Sequence, residues 1–418
     1  MAAFDIIVAG AGPAGSAAAR ALAINVPELR VAVIAPARGR GRGEVLSPLV
    51  QPVLRQLGLW SAFLAQGFAP SHRTLACWEE AGLKASELLL EARGPSWRVD
   101  RAAFDEWIAR EACGAAERVH AKVCRLEPDA DGWSVACDGG QRHTARLVID
   151  ATGRARALAH RLGWRTRAQD RLVAAYAEAT GCGQSAPELL VEAFEDGWWY
   201  TMALDEGRRV FACMTDTDLA RGLALNTRDG WRAALAKTQF VCLLAGRIDR
   251  LDPPRLIPAG GRYHAITTGD RFLCAGDAAS AFDPIWGHGV AKAMRSGLFA
   301  AYAASDCLAR GNAGALRRYE AWVAREAAVH VAALGEHYGS VSRWAGRPFW
   351  QRRHPSSLPL RRIQSGLAPD SIWPLNSMVS GRSVIGFREG LPPWNPFFAA
   401  ALSRHDRRPF LSTQTPDP

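Results

Sequence analysis

The chain has 418 residues, against roughly 100–200 for an ordinary domain, so two or three domains with sizeable cores are expected. Hydrophobic residues make up 48% and charged residues 22%, a balance that excludes general disorder. The formal charge is +10, and residues 340–418 hold eleven arginines against four acids. That tail suits either an acidic protein partner or a solvated surface. With no zinc-finger or RNP-type signature beside it, nucleic acid is not expected as a partner.

In chain order, residues 4–9 (FDIIVA) form a short apolar run that leads into Gly10-Ala11-Gly12-Pro13-Ala14-Gly15 and then small residues at helical spacing. Strand, glycine turn and helix make the setting in which this pattern is informative: a tight turn, a close approach for a diphosphate, and tight helix–strand packing. A structural glycine turn is the plainer alternative. The next strand, Val31-Ala32-Val33-Ile34, should end in an acid that grips a ribose, but Ala35-Pro36-Ala37-Arg38 follows. Arg38, Arg40 or Arg42 either compensates from the loop or is exposed loop charge.

Further along, Gly43-Glu44 opens the segment 43–60, and Arg98-Val99-Asp100-Arg101 precedes a helix start at Phe104-Asp105. Residues 147–154 (LVIDATGR) run as a strand into a glycine turn at Gly153. Alternation in Trp198-Trp199-Tyr200-Thr201-Met202 and in Val210–Met214 predicts antiparallel strands. Residues 272–289 read as a strand, then Gly276-Asp277, then a loop with Pro284, Trp286, Gly287, His288 and Gly289, followed by a helix. Residues 311–340 read as helical, and beyond 343 the chain is rich in Pro, Trp and Arg.

Two absences complete the reading. No apolar run reaches the ~18 residues of a membrane-spanning helix, and the N-terminus enters its strand without the regions of an export signal, so a cytoplasmic location is expected. Nine scattered cysteines, never spaced C-x-x-C, predict neither a disulfide framework nor a metal site.

Taken in series, the four motifs resemble the FAD-dependent monooxygenases of the para-hydroxybenzoate hydroxylase type, including the flavin-dependent halogenases. The resemblance spans about residues 4–310. It implies an α/β fold: a Rossmann-like FAD-binding domain (1–73, 97–172 and 256–310), an antiparallel-sheet substrate domain (74–96 and 173–255) and a C-terminal helical and irregular cap (311–418). It also implies FAD as cofactor, with Gly10, Gly12, Pro13, Ala14 and Gly15 at the diphosphate. Asp277 would sit at the ribityl chain, Pro284, Gly287 and Gly289 at the flavin ring, and Gly43, Glu44, Arg101 and Gly153 close by. Asp277 as a mere helix cap and Arg101 as a surface charge are the alternatives.

Such enzymes react reduced flavin with molecular oxygen to a C4a-hydroperoxide, with electrons from NAD(P)H or from a separate flavin reductase. Halogenases add a W-x-W-x-I-P segment and a lysine. Here Trp198 matches the first Trp, but Tyr200, Met202 and Ala203 replace the second Trp, the Ile and the Pro. Of the four lysines (84, 122, 237, 292) only Lys84 lies near the halogenase lysine region. Segments 43–60, 197–221 and 276–297 look like the flavoproteins that mature tryptophylquinone-type cofactors of amine dehydrogenases and oxidases. That likeness implies hydroxylation of a Trp in a partner polypeptide.

A hydroxylase of a small aromatic metabolite and a flavin-bearing escort protein are the alternatives. Trp286, His288 and Tyr200 are the candidate catalytic residues. Alternation puts Trp199 and Tyr200 on opposite faces, so only one should face a pocket. Trp344, Trp350, Trp373 and Trp394 are either a docking surface with the tail arginines or core residues of the cap.

Overall fold

A parallel sheet organises the N-terminal half because its strands are apolar on both faces. In the computed structural model the described residues are 2–37, 43–87, 94–114, 116–181, 189–204, 207–245, 248–312 and 314–357. Strand Ala2–Ala9 is central, flanked in parallel by Arg142–Asp150 on one side and Val31–Ile34 on the other. Phe272–Cys274 extends the sheet beyond Arg142–Asp150, and Glu117–Val119 extends it beyond Val31–Ile34. Ile6, Ile7 and Val8 are fully buried, as a strand covered on both faces requires. The crossover from the first strand to the second is helix Pro13–Asn25, the βαβ unit that the glycine turn predicts.

The second large sheet runs 250–251, 172–180, 208–216, 197–203, 189–194, 73–77, 84–87. Its pairings are antiparallel except that of Leu189–Phe194 with Arg73–Cys77. Its two faces have different covers. On one, Trp199 and Phe211 pack beneath the short helices Thr217–Gly222, Arg228–Leu235 and Val241–Leu244, with Trp231 of the second helix meeting both rings. On the other, Trp78, Trp198, Met202 and Met214 meet the C-terminal helices Gly314–Gly339 and Pro348–Arg353.

These observations bear out the expected fold class, with helices as the described part of the C-terminal region. They correct the docking role offered for Trp350, which is 3% exposed and donates its indole N–H to the Phe194 carbonyl at 3.1 Å. It belongs to the core. Trp344 is half-buried and stacks on Trp350, with the Arg343 guanidinium 4.2 Å from its ring centroid. Trp373 and Trp394 lie outside the described residues. No helix among the described residues is long and apolar enough to cross a membrane.

Candidate functional site

The glycine turn is fixed by backbone crowding. Gly10 takes φ +110°, and a Cβ there would lie 2.4 Å from the Ala151 carbonyl oxygen. A Cβ on Gly15 would lie 1.8 Å from the Gly10 carbonyl oxygen. Neither position tolerates a side chain. Gly12 caps helix Pro13–Asn25 in extended conformation, Pro13 takes the first helical position, and no acid occupies the first turn. The helix therefore presents uncompensated N–H groups and its positive dipole end at the turn. Ala14 seals the other side, packed where Gly276 and Gly297 leave room. Arg38, Arg40 and Arg42 lie outside the described residues.

At the end of Arg142–Asp150, the fully buried Asp150 carboxylate accepts from the Thr152 N–H and hydroxyl and from the Leu158 and Ala159 N–H groups. It anchors the turn that leaves Gly153 at φ +68° with open space where a Cβ would point. Sequence reasoning gave Asp150 no role. Its short-range acceptor pattern with Thr152 is the signal that was there to read.

Asp277 does not stand alone. Lys292, 4% exposed at its side chain, donates to Asp277 Oδ1 at 2.9 Å and also to the Ser280 carbonyl oxygen. Its ammonium lies 4.9 Å from the Phe282 ring centroid. Burial works against the Asp277 charge, but Lys292, Arg154 and Arg101 together hold its carboxyl below the usual carboxylate range. Arg101 meets Glu44 at 2.5 Å and Asp105 at 3.1 Å. Burial disfavours the Arg101 charge, and those two acids more than offset it. Arg101 is thus no free surface charge. Gly43 and Glu44 enter through the pairing of Gly43–Leu46 with Ser96–Asp100.

Pro284–Trp286 forms one 3₁₀ turn, capped by the Asp283 carboxylate accepting from the Ile285 N–H at 3.0 Å. Gly287 then takes φ +63°, and His288 caps the 21-residue helix Gly289–Ala309. Gly289 has nothing within 4 Å of a would-be Cβ, so the start of this long helix is uncrowded there.

Three histidines surround Trp286: His288, His330 and His337, with ring centroids 6.4, 5.2 and 5.6 Å away. His330 and His337 are seven residues apart on helix Gly314–Gly339, two turns along one face. Their spacing was legible, but their target was not. Burial pushes His330 down to about 3, helped by the charges of His288 and Lys292, and burial alone takes His337 to about 4. Both imidazoles are therefore held neutral at ordinary pH and resist protonation. The Trp286 Nε1 and His330 Nε2 atoms are buried with no hydrogen-bond partner among the described residues.

Of the two strand aromatics, Tyr200 faces this region. It packs against the cluster that also takes Ile285 and Trp286. Trp199 points the other way, fully buried 5.1 Å from Trp231. Lys84 is 62% exposed and pairs with Glu80 at 3.5 Å.

A glycine turn at a helix start, a second open helix start, and a cation-backed carboxylate between them fit a flavin dinucleotide. The fold and site define an FAD-dependent oxidoreductase. Residues 3–331 match the FAD binding domain family, and the chain belongs to it. Among its relatives, LodB of Marinomonas mediterranea, assigned as an FAD-dependent oxidoreductase, is 28% identical over 85% of this chain and 98% of its own. A flavin-dependent halogenase of Armillaria mellea is 29% identical over 74% of this chain and 68% of its own.

Among solved structures, the peptidyl tryptophan dihydroxylase QhpG, essential for tryptophylquinone cofactor biogenesis, superimposes with TM-score 0.68 at 25% identity, covering 84% of this chain and 79% of that one. The myxobacterial chondrochloren halogenase CndH superimposes with TM-score 0.74 at 21% identity, covering 85% and 86%. The chain is therefore an enzyme of the FAD-dependent monooxygenase and halogenase group, and its cofactor is FAD.

Proposed function

We propose that this enzyme hydroxylates an aromatic side chain, a Trp of a partner polypeptide, during maturation of a tryptophylquinone-type cofactor. The observation that carries the reading is the likeness to the peptidyl tryptophan dihydroxylase, at 25% identity across most of both chains. Bound FAD supplies the redox and oxygen-activating chemistry, with electrons from NAD(P)H or a separate flavin reductase.

This chain's residues divide the remaining work. The turn Gly10–Gly15 and the start of helix Pro13–Asn25 hold the diphosphate. Asp277, kept ionised by Lys292, accepts from the ribityl hydroxyls. The loop Pro284–Gly289 offers backbone N–H groups to the flavin ring, where they favour negative charge on the reduced form. Trp286 and Tyr200 form an aromatic wall for the substrate ring. His288, at the cap of Gly289–Ala309, is the histidine offered to accept a proton from an indole or phenol, since His330 and His337, driven down to about 3 and about 4, are too weakly basic for that work.

Two features favour hydroxylation over halogenation. Lys84 is turned to solvent against Glu80. Lys292 is buried, with its ammonium engaged by a carboxylate, a carbonyl and an aromatic face. A lysine that carries an oxidised halogen must offer a free amine, and neither does so.

The test is a tagged pull-down from the native host with intact mass spectrometry of the retained proteins, with and without oxygen. The reading expects a polypeptide that gains one or two oxygen atoms on a Trp only when oxygen is present. A preparation that retains no partner, yet oxidises NAD(P)H when an aromatic metabolite is added, would replace it with a small-molecule hydroxylase. Capture of a partner without oxygen consumption would make the protein an escort.

A further inference from the structure

Asp283 lies directly before the Pro284–Trp286 turn and is 4% exposed. Its Oδ1 accepts from the Ile285 N–H at 3.0 Å. Its Oδ2 accepts from the Tyr338 hydroxyl at 3.1 Å, and the Tyr338 oxygen accepts from the Trp198 indole N–H at 2.9 Å. Tyr338 and Trp198 are 1% and 2% exposed. The chain crosses three elements: the strand that carries Tyr200, the C-terminal helix, and the loop before the helix Gly289–Ala309.

Its direction is fixed chemically. An indole N–H only donates, so the Tyr338 oxygen accepts that hydrogen bond and its own O–H donates to Asp283. Asp283 is thereby asked to accept at both oxygens, the role of an ionised carboxylate, whereas protonation turns one of the two into an O–H donor and weakens its acceptance. Its surroundings pull the other way. Burial and the neighbouring Asp170 push the carboxyl up to about 7, against the opposing charge of Arg353 and the bonds from Ile285 and Tyr338. Tyr263 also faces it, and the Arg353 guanidinium lies 5.5 Å from the Tyr338 ring centroid.

We propose that Asp283 is a proton-linked positioning residue: ionised, it holds the flavin loop through Ile285 and ties it by way of Tyr338 to the Trp198–Tyr200 strand; protonated, it releases that tie. This rests on the proposed placement of Pro284–Gly289 at the flavin. The aromatic wall and the flavin loop then move as one unit in the ionised form and separately in the acid form.

The experiment follows the visible absorption and fluorescence of the FAD-bound enzyme from pH 5.5 to 8.5 in the wild type, Asp283→Asn, Tyr338→Phe and Trp286→Phe. The wild type should show a flavin spectral transition centred within about one unit of pH 7. Asp283→Asn should abolish it. Tyr338→Phe removes the hydroxyl, with its bond to Asp283 and the bond it accepts from Trp198, and should move the midpoint up by about one unit. If Asp283→Asn fails to fold, Tyr338→Phe carries the test, because a role in packing alone leaves the midpoint where it was.

A flat wild-type titration, or an unmoved midpoint in Tyr338→Phe, overturns the proposal. Trp286→Phe separates the two failures. A Trp beside the flavin quenches its emission, so brighter flavin in Trp286→Phe keeps the loop at the cofactor even where the Asp283 proposal has failed. Unchanged emission removes the loop from the flavin, and both readings fall together.

Discussion

Lys292 and Asp277 form an ion pair at 2.9 Å, with the lysine on the first turn of Gly289–Ala309 and the carboxylate in the 3₁₀ turn Gly276–Ala278 that follows the strand Phe272–Cys274. The carboxylate is the more open partner, 30% exposed against 4% for the lysine side chain. The pair therefore turns its acceptor face outward while its cation stays inside.

Replacing Asp277 by Ala would strand a buried ammonium, so lost flavin and lost stability would arrive together. A cost of about 2–3 kcal/mol is expected, at the lower end for a broken pair because Asp277 keeps some solvent. Asp277→Asn is the cleaner probe, since it keeps the shape and one acceptor. FAD titration by fluorescence quenching should show roughly tenfold weaker binding for a loss of about 1.4 kcal/mol. Lys292→Met should weaken FAD binding as well, through a carboxyl freed to take up a proton. Undiminished affinity in both variants would remove Asp277 from the cofactor.

Trp199 and Tyr200 should separate stability from function. Truncating Trp199 to Ala opens a cavity against Trp231 and Phe194, a loss of about 3–5 kcal/mol. Tyr200→Ala should cost far less in thermal unfolding and leave FAD content intact, while substrate-dependent oxygen consumption falls. Equal losses of melting temperature in both variants would place Tyr200 in the core rather than at the site.

That contrast marks how far the sequence could be read. The glycine turn was legible because its constraint is local: Gly10 and Gly15 are needed where backbone meets backbone within a few residues. The alternation of residues 198–202 fixed which side chains share a face. It could not say which face meets the site, because helices from 217 to 244 decide that by covering the other side. His330 and His337 were invisible as site residues for a related reason. Their partner Trp286 lies on another element, brought to them only when Gly314–Gly339 packs across the sheet.

The arginine-rich segment shows the same limit for charge. Arg347 pairs with Asp196 at 2.8 Å, and Arg352 and Arg353 both reach Asp216 at 2.7 Å. Composition gave the surplus of cations but not the acids that the second sheet supplies. These arginines fasten helix Pro348–Arg353 to the sheet, so they are not available to an acidic partner. Arg353→Met should lower stability by about 3 kcal/mol, since Asp216 keeps its bond to Arg352. Reversing Arg361, Arg362, Arg404, Arg407 and Arg408, all outside the described residues, is the proper test of docking. Partner capture should weaken with unfolding temperature and FAD content unchanged. Unaltered capture would make the tail a solvated surface.

Stability should fall as the medium is acidified below neutrality, and three histidines set the window. All fold with pKa values far below the ordinary 6.5, at about 3 for His264 and His330 and about 4 for His337, burial being the first cause in each. The unfolded chain therefore binds protons that the folded one refuses. Their contribution is whole above pH 6.5 and is lost as pH falls toward 4. Between pH 6.5 and 5 each costs about 2 kcal/mol, at about 1.4 kcal/mol per unit. Asp283 opposes one of them, because its carboxyl is pushed up to about 7 and its folded form regains stability as it protonates. The net loss over that interval is then about 4 kcal/mol. Denaturant midpoints at pH 6.5 and pH 5 should show it in the wild type, and His330→Gln should remove about half of it. A His330→Gln protein that keeps the full pH dependence would mean that His330 titrates normally and is not the dry, neutral imidazole beside Trp286.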